Sequence, residues 1–197
     1  HLQWLATALA GTHARGETRW VGWPGDTAGF GQARKAEAFR ELAQRRVIPV
    51  ELSRTEVERY YEGFSNGVLW PLFHYLLDKV RLDADRDWEA YQAVNRRVAE
   101  AVRREAQEGD TVWVHDYQLM LLPALLRAAR PDLPIAFFLH VPFPAFEVFR
   151  ILPDAWSRAL LHGVLGADVA GFHTLDYARH FLRSAERLSG LEAREGE

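Results

Sequence analysis

The chain contains no cysteine. Disulfides, cysteine nucleophiles and thiolate metal sites are excluded, which fits a cytoplasmic protein. Long hydrophobic runs are missing too. No apolar stretch approaches the roughly 20 residues of a membrane span, and the N-terminus lacks a signal-peptide pattern. Charge of one sign is scarce: 24 Lys and Arg against 27 Asp and Glu leave a net charge of −3. A nucleic-acid surface would show a basic bias, so no such partner is expected. Neither a GxxxxGK[ST] loop nor a GxGxxG turn after a strand occurs, which removes both nucleotide-binding fingerprints. No GxSxG nucleophile elbow occurs either. What is present is ordinary for a globular protein: 197 residues, 48% hydrophobic and 26% charged, enough to bury a core. Seven tryptophans stand out. Flat rings suit sugar ligands, although core filling explains most of them equally well. The chain opens on His1 rather than Met, as a fragment would.

Hydrophobic periodicity places the elements. LQWLATALAG reads as a short helix ending near Gly11, and RWVGWPG (19–25) as a strand broken at Pro24 and Gly25. Residues 26–46 read as a loop and a short helix, and VIPVEL (47–52) as a strand. Ser53 and Glu56 have the spacing of a capping box, so a helix should carry EVERYYEGFSNGV. Pro71 should force a new helix start before LFHYLL. Trp88, Tyr91, Val94 and Val98 give the spacing of an amphipathic helix, with Gly109 as its stop. From residue 111 the order becomes regular: strands TVWVH, IAFFLH and ADVAGF alternate with helical segments, the second broken at Pro153. Apolar strands alternating with helices predict one α/β domain, a parallel sheet with helices on both faces.

In such sheets ligands bind outside the carboxyl ends of the strands. Here the first of the three strands ends in His115-Asp116-Tyr117, the second in His140 and the third in His173-Thr174. A lone histidine at a strand end is usually structural. Asp116 and His140 falling at one edge together points to a polar cleft for a small hydroxylated or charged ligand. Asp83, Asp85 and Asp87 form a DxDxD string that could hold a divalent metal, but it precedes a helix, where carboxylates cap amides and favour the dipole. No second His/Asp cluster has metal-ligand spacing, so no metal is expected.

Three long strings, FSNGVLWPLFHY (64–75), VWVHDYQLMLLPALLR (112–127) and FFLHVPFPAFEVFRILP (137–153), resemble the trehalose-6-phosphate synthases. WVGWPG (20–25) and GFHTLDYARHFL (171–182) match in the same order, so the resemblance covers roughly residues 20 to 185. It implies a retaining glycosyltransferase that moves glucose from a nucleotide sugar, usually UDP-glucose, to glucose 6-phosphate. The family fold is GT-B, two Rossmann-like domains facing a cleft. By resemblance residues 1–197 are the N-terminal, acceptor-side domain, without the family's first strand and its C-terminal donor domain, and inactive alone. Trp70 and Tyr61 then match acceptor positions, Tyr61 bonding the phosphate and Trp70 packing on the sugar. Asp116 would accept hydrogen bonds from sugar hydroxyls, and His140 would lie beside the transferred glucose near the reacting centre. Trp23 would lie close to the acceptor pocket. His115 and His173 are expected to be structural, and Tyr117 stays open. The family uses no metal or other cofactor, and homo-oligomerisation is compatible with the sequence.

These residue types suit the task. A phenol donates to phosphate, an indole offers an apolar face with one donor, and a carboxylate is a strong acceptor once water is excluded. Only one of Tyr60 and Tyr61 can face the cleft. Competing readings are a glucosylglycerol-phosphate synthase, a pseudoglycosyltransferase that couples cyclitols, and a non-catalytic synthase-like subunit that binds sugar phosphate or a partner enzyme.

Overall fold

The computed structural model describes residues 18–25 and 30–192. The expected helix at LQWLATALAG lies outside them. Contacts divide the chain into two compact units, His1–Ser53 and Arg54–Glu197. In the first, strand β1 (Trp20–Gly22) is followed by helix α1 (Gln32–Gln44) and strand β2 (Val47–Pro49). The two strands pair in parallel, with Val21 beside Ile48. Val50 N–H donates to the Gly22 carbonyl and continues the ladder by one bond (2.8 Å).

The second unit opens with one run of helical backbone of changing pitch. It begins as α2 (Arg54–Glu56), where the capping-box spacing expects a start, widens into a π-helix (Val57–Leu69) and tightens again into α3 (Trp70–Phe73). Pro71 lies in the first turn of α3, where a missing N–H is tolerated. The Gly67 carbonyl, which an α-helix would pair with residue 71, accepts instead from Arg81 N–H (3.1 Å). Pro71 therefore changes the helix without breaking it. The expected helix over LFHYLL stops at Phe73, and Tyr75 turns to a positive φ of 61°.

Helix α4 (Asp85–Glu105) buries Trp88, Tyr91, Val94 and Val98, as their spacing requires. Asp85 and Asp87 stand in its first turn, where carboxylates favour the helix dipole, but among the described residues no side chain caps its first amides; Asp87 pairs with Arg81 at 3.2 Å instead. Gly109, expected as the helix stop, lies instead in the turn beyond, at φ 85°. The helix frays earlier because Ala106 already adopts extended backbone.

Strands β3 (Val112–His115), β4 (Ile135–Leu139) and β5 (Val169–Phe172) form a parallel sheet in the order β3-β4-β5. Between them run α5 (Leu122–Ala129), with Pro123 in its first turn, then α6 (Phe146–Phe149) and α7 (Asp154–Leu165), separated at Pro153. Helix α8 (Leu175–Ser189) follows β5 and is capped by Thr174, whose hydroxyl accepts from Tyr177 N–H. One sheet face carries Val114, Ile135, Phe137 and Leu139, all buried. Alternation puts Trp113, His115, Phe138 and the following His140 on the other face. There Trp113 is 53% exposed. Among the described residues no helix is long and apolar enough to cross a membrane.

Helix α7 approaches the segment before α5 closely at Gly163. A Cβ there would meet the Met120 carbonyl oxygen, and Leu121 Cα at 2.7 Å. Alanine favours helices over glycine by about 1 kcal/mol, yet backbone atoms cannot yield as side chains do. Gly163→Ala is therefore expected to destabilise the protein by about 1–3 kcal/mol, read as a lower urea midpoint at unchanged m-value. An unchanged or higher midpoint would show that the two helices can separate.

Candidate functional site

The parallel register brings the polar strand ends to one edge. His115 lies opposite Phe138, so the chain leaving β3 and the chain leaving β4 emerge side by side. Asp116 N–H donates to the Phe138 carbonyl (2.8 Å), and the Asp116 carboxylate accepts from His140 N–H (3.2 Å). The Asp116 side chain thus extends the ladder where its backbone departs. That departure is strained: Asp116 holds φ 72° and ψ 174°, a region nearly reserved for glycine. Strain of this kind costs about 1–3 kcal/mol and persists only where surrounding bonds enforce it.

Those bonds come from below. The Tyr91 hydroxyl of α4 donates to the Tyr117 carbonyl (2.6 Å) and accepts from Met120 N–H (3.1 Å). Asn95 Nδ2 and the Tyr60 hydroxyl both donate to the Gln118 carbonyl, at 3.1 and 3.2 Å. Burial pushes the Tyr60 and Tyr91 hydroxyls up, so both stay protonated donors. Three buried side chains thus bracket the turn that presents Asp116.

Tyr60 also settles which tyrosine turns inward. It is buried beside Tyr91 with ring centroids 5.8 Å apart, whereas Tyr61 is half-buried. Tyr61 lies close enough to the Tyr117 hydroxyl to push that group's pKa up, although burial is the larger cause and Asp116 the second. Tyr117 donates to Asn66 Oδ1 at 2.9 Å, and its ring lies 5.7 Å from that of Trp70. Trp70 in turn stacks on His74, with centroids 3.8 Å apart, while His74 Nδ1 donates to the Trp70 carbonyl (2.7 Å).

Tyr61, Trp70, Asp116 and His140 therefore gather at one end of the second unit, and Tyr117, Asn66 and His74 join them. Trp23 follows β1 in the first unit. Asn66 and His74 escaped the sequence reading; the available signal for His74 was its spacing of four from Trp70, which places both on one helix face.

Burial pushes the Asp116 carboxyl up from 3.8 to about 6, against the opposing pull of the Tyr117 and His140 amides and of His173 and His74. His115, expected to be structural, makes a hydrogen bond through Nδ1 to His140 Nε2 at 3.0 Å. Burial first, and the neighbouring ring second, holds His115 down at about 4. His140 is lowered in the same sense, by burial and then by His173. Among the described residues no hydrogen bond joins the Asp116 carboxylate to a histidine ring; its bond to His140 is to the backbone N–H. No group of three or more His, Cys, Asp or Glu among them could hold a metal ion. The arrangement offers an acceptor carboxylate, an amide and several aromatic faces, the equipment for holding a sugar.

The family model for glycosyltransferase family 20 matches residues 3–197. A trehalose-6-phosphate synthase from Mycolicibacterium gilvum is 45% identical over 192 residues, covering 98% of this chain and 38% of the relative. An α,α-trehalose-phosphate synthase (UDP-forming) from Aspergillus fumigatus is 44% identical over 196 residues, covering 95% and 36%. Among solved structures, an α,α-trehalose-phosphate synthase (UDP-forming) from Burkholderia xenovorans in complex with glucose 6-phosphate superposes with TM-score 0.76 at 32% identity. That match covers 93% of this chain and 39% of the other. The chain thus spans less than two-fifths of the length of these relatives.

Proposed function

Because the chain belongs to glycosyltransferase family 20, we propose that it is the acceptor-side part of a retaining, UDP-forming α,α-trehalose-phosphate synthase. The whole protein transfers glucose from UDP-glucose to glucose 6-phosphate, in the cytoplasm, and residues 1–197 are its N-terminal domain. The observation that carries this reading is the joint placement of Tyr61, Trp70 and Asp116 around Tyr117, at the carboxyl edge of a parallel sheet.

In this reading Asp116 accepts hydrogen bonds from acceptor hydroxyls, and the indole of Trp70 packs on the sugar ring. The Tyr61 hydroxyl donates to the phosphate, and Trp23 is carried as a further acceptor contact on the resemblance. His140 stands beside the transferred glucose. The acceptor oxygen bonds to the glucose anomeric carbon on the face from which the diphosphate departs, and its proton passes to that leaving diphosphate. The protein's share is positioning and charge stabilisation. The groups that bind the nucleotide belong to sequence beyond this segment, and the reading calls on no metal.

The test is UDP release by the full-length protein with glucose 6-phosphate as acceptor. Turnover with glucose 6-phosphate supports the reading. Turnover only with glycerol 3-phosphate or a cyclitol phosphate, or none with any acceptor, would overturn it.

A further inference from the structure

His115, His140 and His173 follow one another across the sheet edge, one from each strand, and their contacts are unequal. His115 and His140 share a hydrogen bond, Nδ1 to Nε2 at 3.0 Å, with ring centroids 5.3 Å apart. His140 meets His173 only edge-on, at 5.9 Å. Each of the bonded rings is also held from its own strand: His115 leans on Trp113 at 4.6 Å, and His140 on Phe138 at 4.8 Å. The edge of the Phe138 ring faces His173 at 5.2 Å. Among the described residues no other hydrogen bond reaches the ring of His140, so its Nδ1 is the one ring nitrogen left for a ligand.

We propose that His115 is a positioning residue, which fixes the tautomer and ring orientation of His140 and so decides what His140 Nδ1 presents to the transferred sugar. This rests on the reading of His140 given above. Only one proton can lie between His115 Nδ1 and His140 Nε2. If His115 donates, His140 carries its proton on Nδ1 and is a donor to the sugar; if His140 donates, its Nδ1 is an acceptor. In either case the state of Nδ1 is set by its partner, as the second nitrogen of a functional histidine commonly is. Burial lowers both imidazoles and so favours their neutral forms; an unbonded ring would exchange freely between its two tautomers, whereas the bonded pair can change only by moving the protons of both rings together. The bond depends on the β3–β4 register, since a slip of one residue would send the two rings to opposite faces.

The test compares three substitutions of His115 in the full-length protein. Asparagine places an amide near the position of Nδ1, glutamine places it near that of Nε2, and phenylalanine keeps the bulk without polarity. The expected result is that H115N stays within about 3-fold of wild-type kcat, while H115F and H115Q fall about 10-fold or more at nearly unchanged acceptor KM. Equal losses in all three, or no loss in H115F, would overturn the proposal. A second readout needs no turnover: long-range 15N–1H correlation of histidine-labelled protein, with the His140 signals assigned from H140Q. One tautomer in wild type and H115N, and a mixture in H115F, supports the proposal. A mixture already in wild type overturns it, whatever acceptor the enzyme proves to use. A single wild-type tautomer in a protein that does not turn over glucose 6-phosphate would sink the acceptor assignment alone.

Discussion

Asp116→Asn in the full-length protein is expected to lower transfer to glucose 6-phosphate at least 100-fold and, at pH 8, to make the fold more stable. Both effects have one cause. Burial holds the Asp116 carboxyl at about 6, above its ordinary 3.8, because the folded protein disfavours its charge. A group whose folded pKa is raised contributes stability below its unfolded value, near pH 4, and that contribution is lost as pH rises through about 6. Asparagine keeps the acceptor oxygen for His140 N–H and never ionises. Its advantage over aspartate should be absent below pH 4, grow between pH 4 and 6, and reach about 1–3 kcal/mol above that. The activity loss has the opposite sign because a charged acceptor forms stronger bonds to hydroxyls than a neutral amide does. Losing two such bonds accounts for about 100-fold, near 3 kcal/mol. Denaturant titrations at pH 4 and pH 8, with UDP release alongside, check both halves. A stability difference that ignores pH, or near-normal turnover, would remove Asp116 from its role. The backbone strain at φ 72° is common to aspartate and asparagine, so it cancels from this comparison.

The second large effect is expected at Tyr91→Phe. The substitution removes one oxygen and leaves the ring stacked on Trp88, with centroids 5.7 Å apart. The lost hydroxyl donates to the Tyr117 carbonyl and accepts from Met120 N–H, and Tyr91 is fully buried. Two backbone groups are then stranded away from water, each costing about 1–3 kcal/mol. A total near 2–4 kcal/mol allows for partial relaxation. These groups flank the turn whose strained conformation presents Asp116, so acceptor KM should rise as well. Urea denaturation measures the first effect and acceptor saturation curves the second. A stability change below about 0.5 kcal/mol would mean that water replaces the hydroxyl and that the bracket does not hold the turn. Asn95 makes the parallel bond to the Gln118 carbonyl, and loss of its amide should couple with loss of the Tyr91 hydroxyl in a double-mutant cycle.

Much of this architecture is legible in the chain alone. Runs such as VWVH and IAFFL, short, rich in β-branched or aromatic residues and set between helical segments, read as strands and are strands. Strand direction and parallel order alone send Asp116 and His140 to one edge of the sheet. The misses have physical reasons. A π-helix and an α-helix share their apolar spacing too closely to be told apart, so Val57–Leu69 read as ordinary helix. Gly109 offered the nearest break after α4, but the backbone had already turned extended at Ala106. Tyr91 matched an apolar helix face, and periodicity is blind to the hydroxyl at the end of a ring.

What the sequence determined by itself is the set of elements, their parallel order, and the chemical types at the strand ends, because each depends on local period and chain direction. Tertiary structure alone decided three things. It turned Tyr60 inward and left Tyr61 half-buried, since a helix must bury one face against α4. It joined His115 to His140, since the register of two strands 25 residues apart sets which rings meet. It also held Asp116 in a conformation that a lone chain would avoid, because buried bonds from Tyr60, Tyr91 and Asn95 outweigh the strain. Such bonds join residues distant in sequence, and no local pattern records them.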